Sequence, residues 1–344
     1  MPRPAFLITI DVEGDNLWAK PRVVTTRNAG FLPRFQSLCE GFGLRPTYLV
    51  DYDMARAPAL QEFGHDVLRR GVAEIGMHLH AWTTPPLVPL TADDLRYQPY
   101  LMEYPRRVIE DKVAAMTAVL EDEFGAQVTS HRAGRWGLNE TYAQVLFAQG
   151  YRVDCSVTPG VSWRHHRGSP EGTGGADYRL FPSEAYFLNL QDISRSGTAA
   201  LLEVPMTIVP TRSQIARVLH GPVQHAPLAP SSLARRALGR IFPTVRWLRP
   251  NGRNQRQLVQ IVEDAVSSGS GHLEFMLHSS ELMSGGSPRF QRVADIENLY
   301  VDLDALFTAV RGRCAAQTLS EYRATMIAGT HQRAPAIATP HGRA

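Results

Sequence analysis

The sequence predicts an α/β protein built on a mostly parallel, barrel-like sheet, and three observations predict it. Short apolar runs of strand length alternate with longer amphipathic runs along most of the chain. Glycine follows four of the amphipathic runs, at Gly43, Gly71, Gly125 and Gly150, where a left-handed helix cap belongs. The links between runs are short, which in repeated strand and helix units implies parallel strands with helices outside them.

Taken in order, Phe6 to Ile10 is the first strand, and Phe31 to Phe42 the helix that Gly43 closes. Thr47 to Val50 and Ala73 to His78 read as strands flanking a helix from Ala59 to Arg70. A long amphipathic helix from Pro105 to Phe124 leads to a strand at Val128 to Arg132. The helix Glu140 to Gln149 then leads to a strand at Tyr151 to Val157. Beyond a glycine-rich stretch around Gly172 to Gly175, strands are expected at Leu201 to Val209, Leu273 to His278 and Ala316 to Leu319, with a helix from Arg292 to Val310 before the last. About seven or eight strands fit a barrel-like sheet.

With 344 residues, 44% of them hydrophobic, the chain can bury one large core or two smaller ones. Cys39, Cys155 and Cys314 stand far apart with no CxxC pair, which excludes a disulfide frame or zinc knuckle. No apolar run reaches bilayer length and no secretory leader is recognisable, so a cytoplasmic protein is expected. A net charge of +3 demands no polyanionic partner, and nucleic acid is not expected as one. The absence of GxSxG, GxxxxGK[ST] and GxGxxG after a strand removes serine-hydrolase, P-loop and dinucleotide readings. Between Glu203 and Glu263 there is no acid, while arginines gather beside Leu233, Leu238, Ile241, Phe242 and Trp247. A solvated helical excursion is the favoured reading of this segment, and a weak peripheral membrane contact the alternative.

The polar residues that carry chemistry fall at strand ends: Asp11 and Glu13, His78 and His80, Arg132, Asp154, His278. In parallel α/β architectures those ends share one rim. Residues i and i+2 of a strand share a face, so each pair points into one cavity. Carboxylate with imidazole is the ligand set of a catalytic divalent ion, and one acid can bind metal while the other acts as base. Acids after a strand also cap turns, and HxH arises by chance, so each pair alone says little. Together they point to a metal-dependent hydrolase. His278 suits proton donation, with a carboxylate such as Asp154 to orient it, and a buried Arg132 would keep a neighbouring carboxylate ionised. Arg135 reads as a surface charge; Asp51, Asp53, His165 and His166 read as loop residues.

These residues resemble the polysaccharide deacetylase (NodB homology, carbohydrate esterase 4-like) superfamily. The similarity runs through Ile8 to Asp15, Glu74 to His80, His131 to Gly134, Asp154 to Pro159 and Leu277 to Glu281. Trp82 and Pro85-Pro86 resemble the WalW-like branch of lipopolysaccharide gene clusters. The resemblance implies a distorted (β/α)7-type barrel that removes an N-acyl group from an amino sugar or glycan, with a carbohydrate as substrate. It implies Asp11 as base, Glu13, His78 and His80 as ligands of a divalent metal with Zn2+ first among candidates, and a backbone amide near Arg132 as oxyanion donor. It also implies Arg132 as holder of the base, Asp154 as the residue that sets the acid, and His278 as that acid. Three departures stand out: Val12 separates the two acids; Trp82 occupies the usual second histidine position, so His80 must substitute; and Arg132-Ala-Gly-Arg135 replaces Arg-x-Pro-Tyr. Residues 1–329 are expected to form one barrel domain with a basic insertion near 204–262, followed by a disordered tail at 330–344. Two alternatives accompany this reading: a metal-free sugar-binding pseudoenzyme of the same fold, and an amidohydrolase acting on a small non-sugar amide.

Overall fold

A computed structural model describes residues 3–211 and 245–333. Parallel strands β1 (Ala5–Val12), β2 (Thr47–Val50), β3 (Glu74–Leu79), β4 (Ser130–Ala133) and β5 (Val153–Asp154) lie side by side in chain order. Then β7 (Leu202–Glu203) joins β5 in parallel, with β6 (Tyr186–Phe187) antiparallel at that edge. On the other side of β1 lies β10 (His272–His278), paired in register from Ala5 with His272 to Asp11 with His278. The sheet curls into a partial barrel, as the alternating runs predict. Its two edges are bridged by irregular chain: Pro205 O accepts from His272, and the Thr207 hydroxyl accepts from Glu274 N.

Helices cover the outside. In α1 (Leu32–Gly41), α2 (Tyr52–Ala55), α3 (Pro58–Arg70), α4 (Asp94–Tyr97), α5 (Arg106–Phe124) and α6 (Glu140–Ala148), the boundaries of the four long members lie close to those expected. Ile109, Val113, Met116, Leu120 and Phe124 give α5 one buried stripe, and Gly125 at φ 61° ends it in the left-handed conformation that glycine takes without a Cβ penalty.

Three runs depart from expectation for identifiable reasons. Tyr151 to Val157 contributes only β5, because the Ser156 amide turns back to the Asp154 carboxylate and leaves the ladder. Leu201 to Val209 splits around Pro205, which has no N–H to give, into β7 and β8 (Ile208–Pro210), and β8 forms a two-stranded ribbon with β9 (Val245–Trp247). The final strand shrinks to β11 (Ala315–Ala316), since Thr318 and Glu321 form a capping box that starts a helix.

The helices α7 (Gln255–Ser268), α8 (Val293–Val310) and α9 (Leu319–Arg333) complete the described chain. Thus β9 falls within the expected basic insertion, α7 begins inside it and runs past its expected end, and α9 runs past the expected start of the tail. Arg212, Arg217, Arg235, Arg236 and Arg240, with Leu233, Leu238, Ile241 and Phe242, lie outside the described residues, as does 334–344. Among the described residues, no helix is long and apolar enough to cross a membrane.

Strand parity places the site. Phe6, Ile8 and Ile10 face the large core under the helices. Ala5 and Leu7 face the barrel interior, where they pack with Leu49, Val153, Cys155, Leu202, Val204 and, from α9, Leu319 and Tyr322. Continuing the inward face of β1 upward gives Thr9, Asp11 and Glu13. The interior is therefore apolar where the strands begin and polar where they end.

Candidate active site

Arg132 is wholly buried at the level of Thr9 and Asp11. Its Nη1 donates to Asp11 Oδ1 at 2.6 Å, Nη2 to the Thr9 hydroxyl and to Glu274, and Nε to Cys155 O. Burial works against the guanidinium charge, but Asp11 and Glu274 outweigh it and raise its pKa above the ordinary arginine range. The same pairing acts in reverse on Asp11: burial pushes its carboxyl up, while Arg132, His78 and His278 bring it below the usual value.

Glu13, His78 and His80 come together, all buried, with their candidate ligand atoms within 4.8 Å of one another. His78 Nδ1 donates to Arg132 O at 3.1 Å, which fixes the tautomer and leaves Nε2 facing Glu13 at 3.6 Å and Asp11 at 4.0 Å. His80 Nε2 lies 2.9 Å from Glu13 Oε2. Burial raises the Glu13 pKa, yet the three histidines around it hold the carboxyl well below its usual range. The two rings respond oppositely: burial depresses both, Asp11 and Glu13 lift His78 above its ordinary value, and His80 stays below, with His78 adding to the depression. One carboxylate and two imidazoles, with one ring pinned through its second nitrogen, fit a divalent ion of the zinc type. Trp82, at the departed histidine position, packs its ring on His80 at 4.4 Å.

His278 completes the group, its Nε2 being 3.6 Å from Glu13 and 3.9 Å from Asp11. Its Nδ1 accepts from Arg249 at 2.7 Å. The same nitrogen lies 3.3 Å from Glu281 Oε2. Arginine only donates and a carboxylate only accepts, so the neutral ring takes Arg249 at Nδ1 and the protonated ring gives Nδ1–H to Glu281, and in both states the Nε2 proton faces the acids. Glu281 holds the arrangement from behind, accepting from the His278 amide at 3.0 Å and from Arg249. Trp18 meets the His278 ring edge to face at 5.1 Å and donates to Ser280. Asn28 and Ser279 stitch the ends of β1 and β10 together through Glu13 O, which fixes where Glu13 emerges.

Asp154 is not brought to His278. In β4, adjacent residues point to opposite faces, so His131 faces outward when Arg132 faces in, and Asp154 is the register partner of His131. Asp154 accepts from His131 Nδ1 at 2.6 Å and from Ser156, while the other ring nitrogen meets Tyr142 of α6. The position expected of Asp154, behind the acid, is taken by Glu281 and Arg249. The nearest backbone donor expected near Arg132, the Ala133 amide, is already given to Ser156 Oγ at 2.8 Å. Asp15 pairs with Arg27 and leaves the acidic cluster at two site members. Arg135 and His166 line the cleft instead of open surface or a remote loop.

Asp11, Glu13, His78, His80 and His278 all line one cavity of about 560 Å3, within the usual range for a small-molecule site. A Mycobacterium smegmatis protein described as a "putative polysaccharide deacetylase" superposes over 96% of this chain and 92% of its own, at a TM-score of 0.54 and 13% identity.

The two chains share one fold. Two further solved structures align more loosely. The CE4 domain of a multidomain xylanase from the hindgut metagenome of Trinervitermes trinervoides shares 10% identity at a TM-score of 0.42, covering 94% of this chain and 91% of that one. A CE4 family pseudoenzyme from Bacillus anthracis shares 9% identity at 0.42, covering 93% and 66%. No family model matches the sequence, and no curated protein matches it.

Proposed function

We propose that the protein is a metal-dependent hydrolase that removes an N-acyl group from an amino sugar or glycan. The observation that carries the reading is the convergence of an arginine-held carboxylate, a Glu-His-His cluster and a histidine whose Nε2 faces the two acids, all in one cavity of a deacetylase-like fold. Glu13, His78 and His80 would hold the ion, with zinc first among candidates, and when bound it supplies positive charge to polarise an acyl carbonyl. Asp11, kept ionised by Arg132, takes a proton from the attacking water. His278 acts as the imidazolium, with Nδ1–H directed to Glu281 Oε2; it delivers its Nε2 proton to the departing amine and is left as the neutral ring. Residues 1–329 act here as one domain carrying one such site.

Asp11→Asn tests this reading. It should leave fold and metal content in place while lowering acyl release from N-acetylated sugars by about 10²- to 10⁴-fold, the scale of general acid or base catalysis. Wild-type protein purified without metal at the site, or an Asp11→Asn variant with full turnover, would overturn it. The first result would favour a binding protein of the same fold.

A further inference from the structure

The cleft carries more positive charge than the reaction needs. Each carboxylate lining it has a partner: Asp11 has Arg132, Glu13 has His78 and His80, and Glu281 has Arg249. Lys20, Arg135 and Arg289 line the same cavity, and among the described residues none has a carboxylate within 4.0 Å. Lys20 donates to Arg96 O and Arg135 to Gln98 O and Arg167 O, so carbonyl oxygens position them without neutralising them. Arg135 is further fixed by stacking 4.1 Å above the Tyr100 ring.

Lys20 stands close to Arg135, and Arg289 close to Arg249. Burial, then the charge of Arg135, lowers the Lys20 pKa; burial, then Arg249, lowers that of Arg289. Like charges gathered at one cleft repel until an anion arrives. Arg135 and Trp136 both sit at positive φ, 56° and 61°, a strained pair of non-glycine residues that presents a guanidinium and an indole to the cavity. Trp18, Trp82, Trp136 and Trp163 line the same cavity and supply aromatic faces suited to the apolar face of a sugar ring.

We propose that the cleft takes an amino sugar bearing a phosphoryl group, whose oxygens are held by Lys20, Arg135 and Arg289 while the acylated nitrogen reaches the Asp11 and His278 end. This rests on the reading above for the bond that is cleaved, but the anion site stands on its own charges. A phosphoryl dianion matches three cations better than the single charge of a uronic acid carboxylate. A neutral glycan would leave all three unused.

The experiment is calorimetric titration of chelator-stripped protein with N-acetylglucosamine, N-acetylglucosamine 1-phosphate and glucuronate at low and high salt. The phosphorylated sugar should bind about tenfold or more tighter than the neutral one, the scale of one or two charge-assisted hydrogen bonds, and lose that advantage with salt. The double variant Lys20→Gln/Arg289→Gln, and separately Arg135→Gln, should collapse the ratio of the two affinities toward one. Arg289 and Lys20 are exposed, so the double variant reports charge with the fold intact. Undetectable binding of the phosphorylated sugar, equal affinity for both sugars, a ratio unchanged in the variants, or glucuronate binding as tightly as the phosphate would each overturn the proposal. Acyl release from metal-loaded protein separates the two readings: release without phosphate preference removes only the anion site, and phosphate preference without release removes only the deacylase.

Discussion

Arg249 and Glu281 meet His278 at the same nitrogen, Nδ1, and Glu281 decides where Arg249 sits. Burial raises the Glu281 pKa, but Arg249 and then His278 reverse this and hold it down to about 2. A carboxyl whose folded pKa is depressed stabilises the protein above its unfolded value, 4.5, and loses that contribution as pH falls through 2. The contribution amounts to about 3 kcal/mol. Glu281→Gln should therefore remove up to that much stability at neutral pH and flatten the acid limb between those two values; urea melts at a series of pH values would show an unchanged limb if the idea is wrong. None of this was legible in the sequence. Asp11 with Glu13, and His78 with His80, are local i, i+2 pairs whose shared face follows from strand geometry alone. Arg249 lies 29 positions from its histidine, in a segment whose arginines look alike. Asp154 misled because its face depends on its register with His131, and β5 is too short for its own alternation to reveal that.

At the scale of elements, the metal cluster depends on two strand ends approaching closely. The β3 end carries His78 and His80, and just past β4 comes Gly134, where a Cβ would stand 2.4 Å from His80 Nδ1 and 2.6 Å from Leu79 O. Only glycine permits that approach. The loop after β3 is held from the other side by Lys112 of α5, buried and donating to the carbonyls of Ala81, Thr84 and Pro86. With the loop anchored, an added methyl at position 134 must displace the imidazole. Gly134→Ala should lower metal affinity about 10- to 100-fold, the cost typical of disturbing a ligand's support, while the helix content stays unchanged. Competition with a chromogenic chelator measures it, and wild-type affinity would show that His80 is not a ligand. Helix extents and their glycine caps were readable from periodicity, whereas strand ends were not, because Pro205 and the Asp154 turn act through hydrogen bonds that periodicity does not see.

Across the whole molecule, stability and chemistry occupy opposite ends of one barrel. The end where strands begin is closed by Leu319 and Tyr322 of α9, packed on Ala5, Leu7 and Leu202. The end where they finish holds acids and imidazoles that oppose one another and are tolerated because each has a partner. The buried layer between, with Thr9, Arg132 and Glu274, joins the two through hydrogen bonds and ion pairs. Burial pushes the Glu274 carboxyl above its ordinary value despite Arg132, so this layer is itself a cost that the apolar end must offset. Leu319→Ala, which leaves a cavity at a fully buried position, should cost about 2–5 kcal/mol in urea unfolding. Below the midpoint of that transition the variant should still bind one divalent ion with wild-type affinity, because among the described residues α9 hydrogen-bonds to Thr47, Glu74, Thr129 and Ala200 and no hydrogen bond joins it to Glu13, His78 or His80. If affinity falls in step with stability under native conditions, the two ends are coupled through the Arg132 layer, and its pairs must be rearranging when the apolar end is loosened.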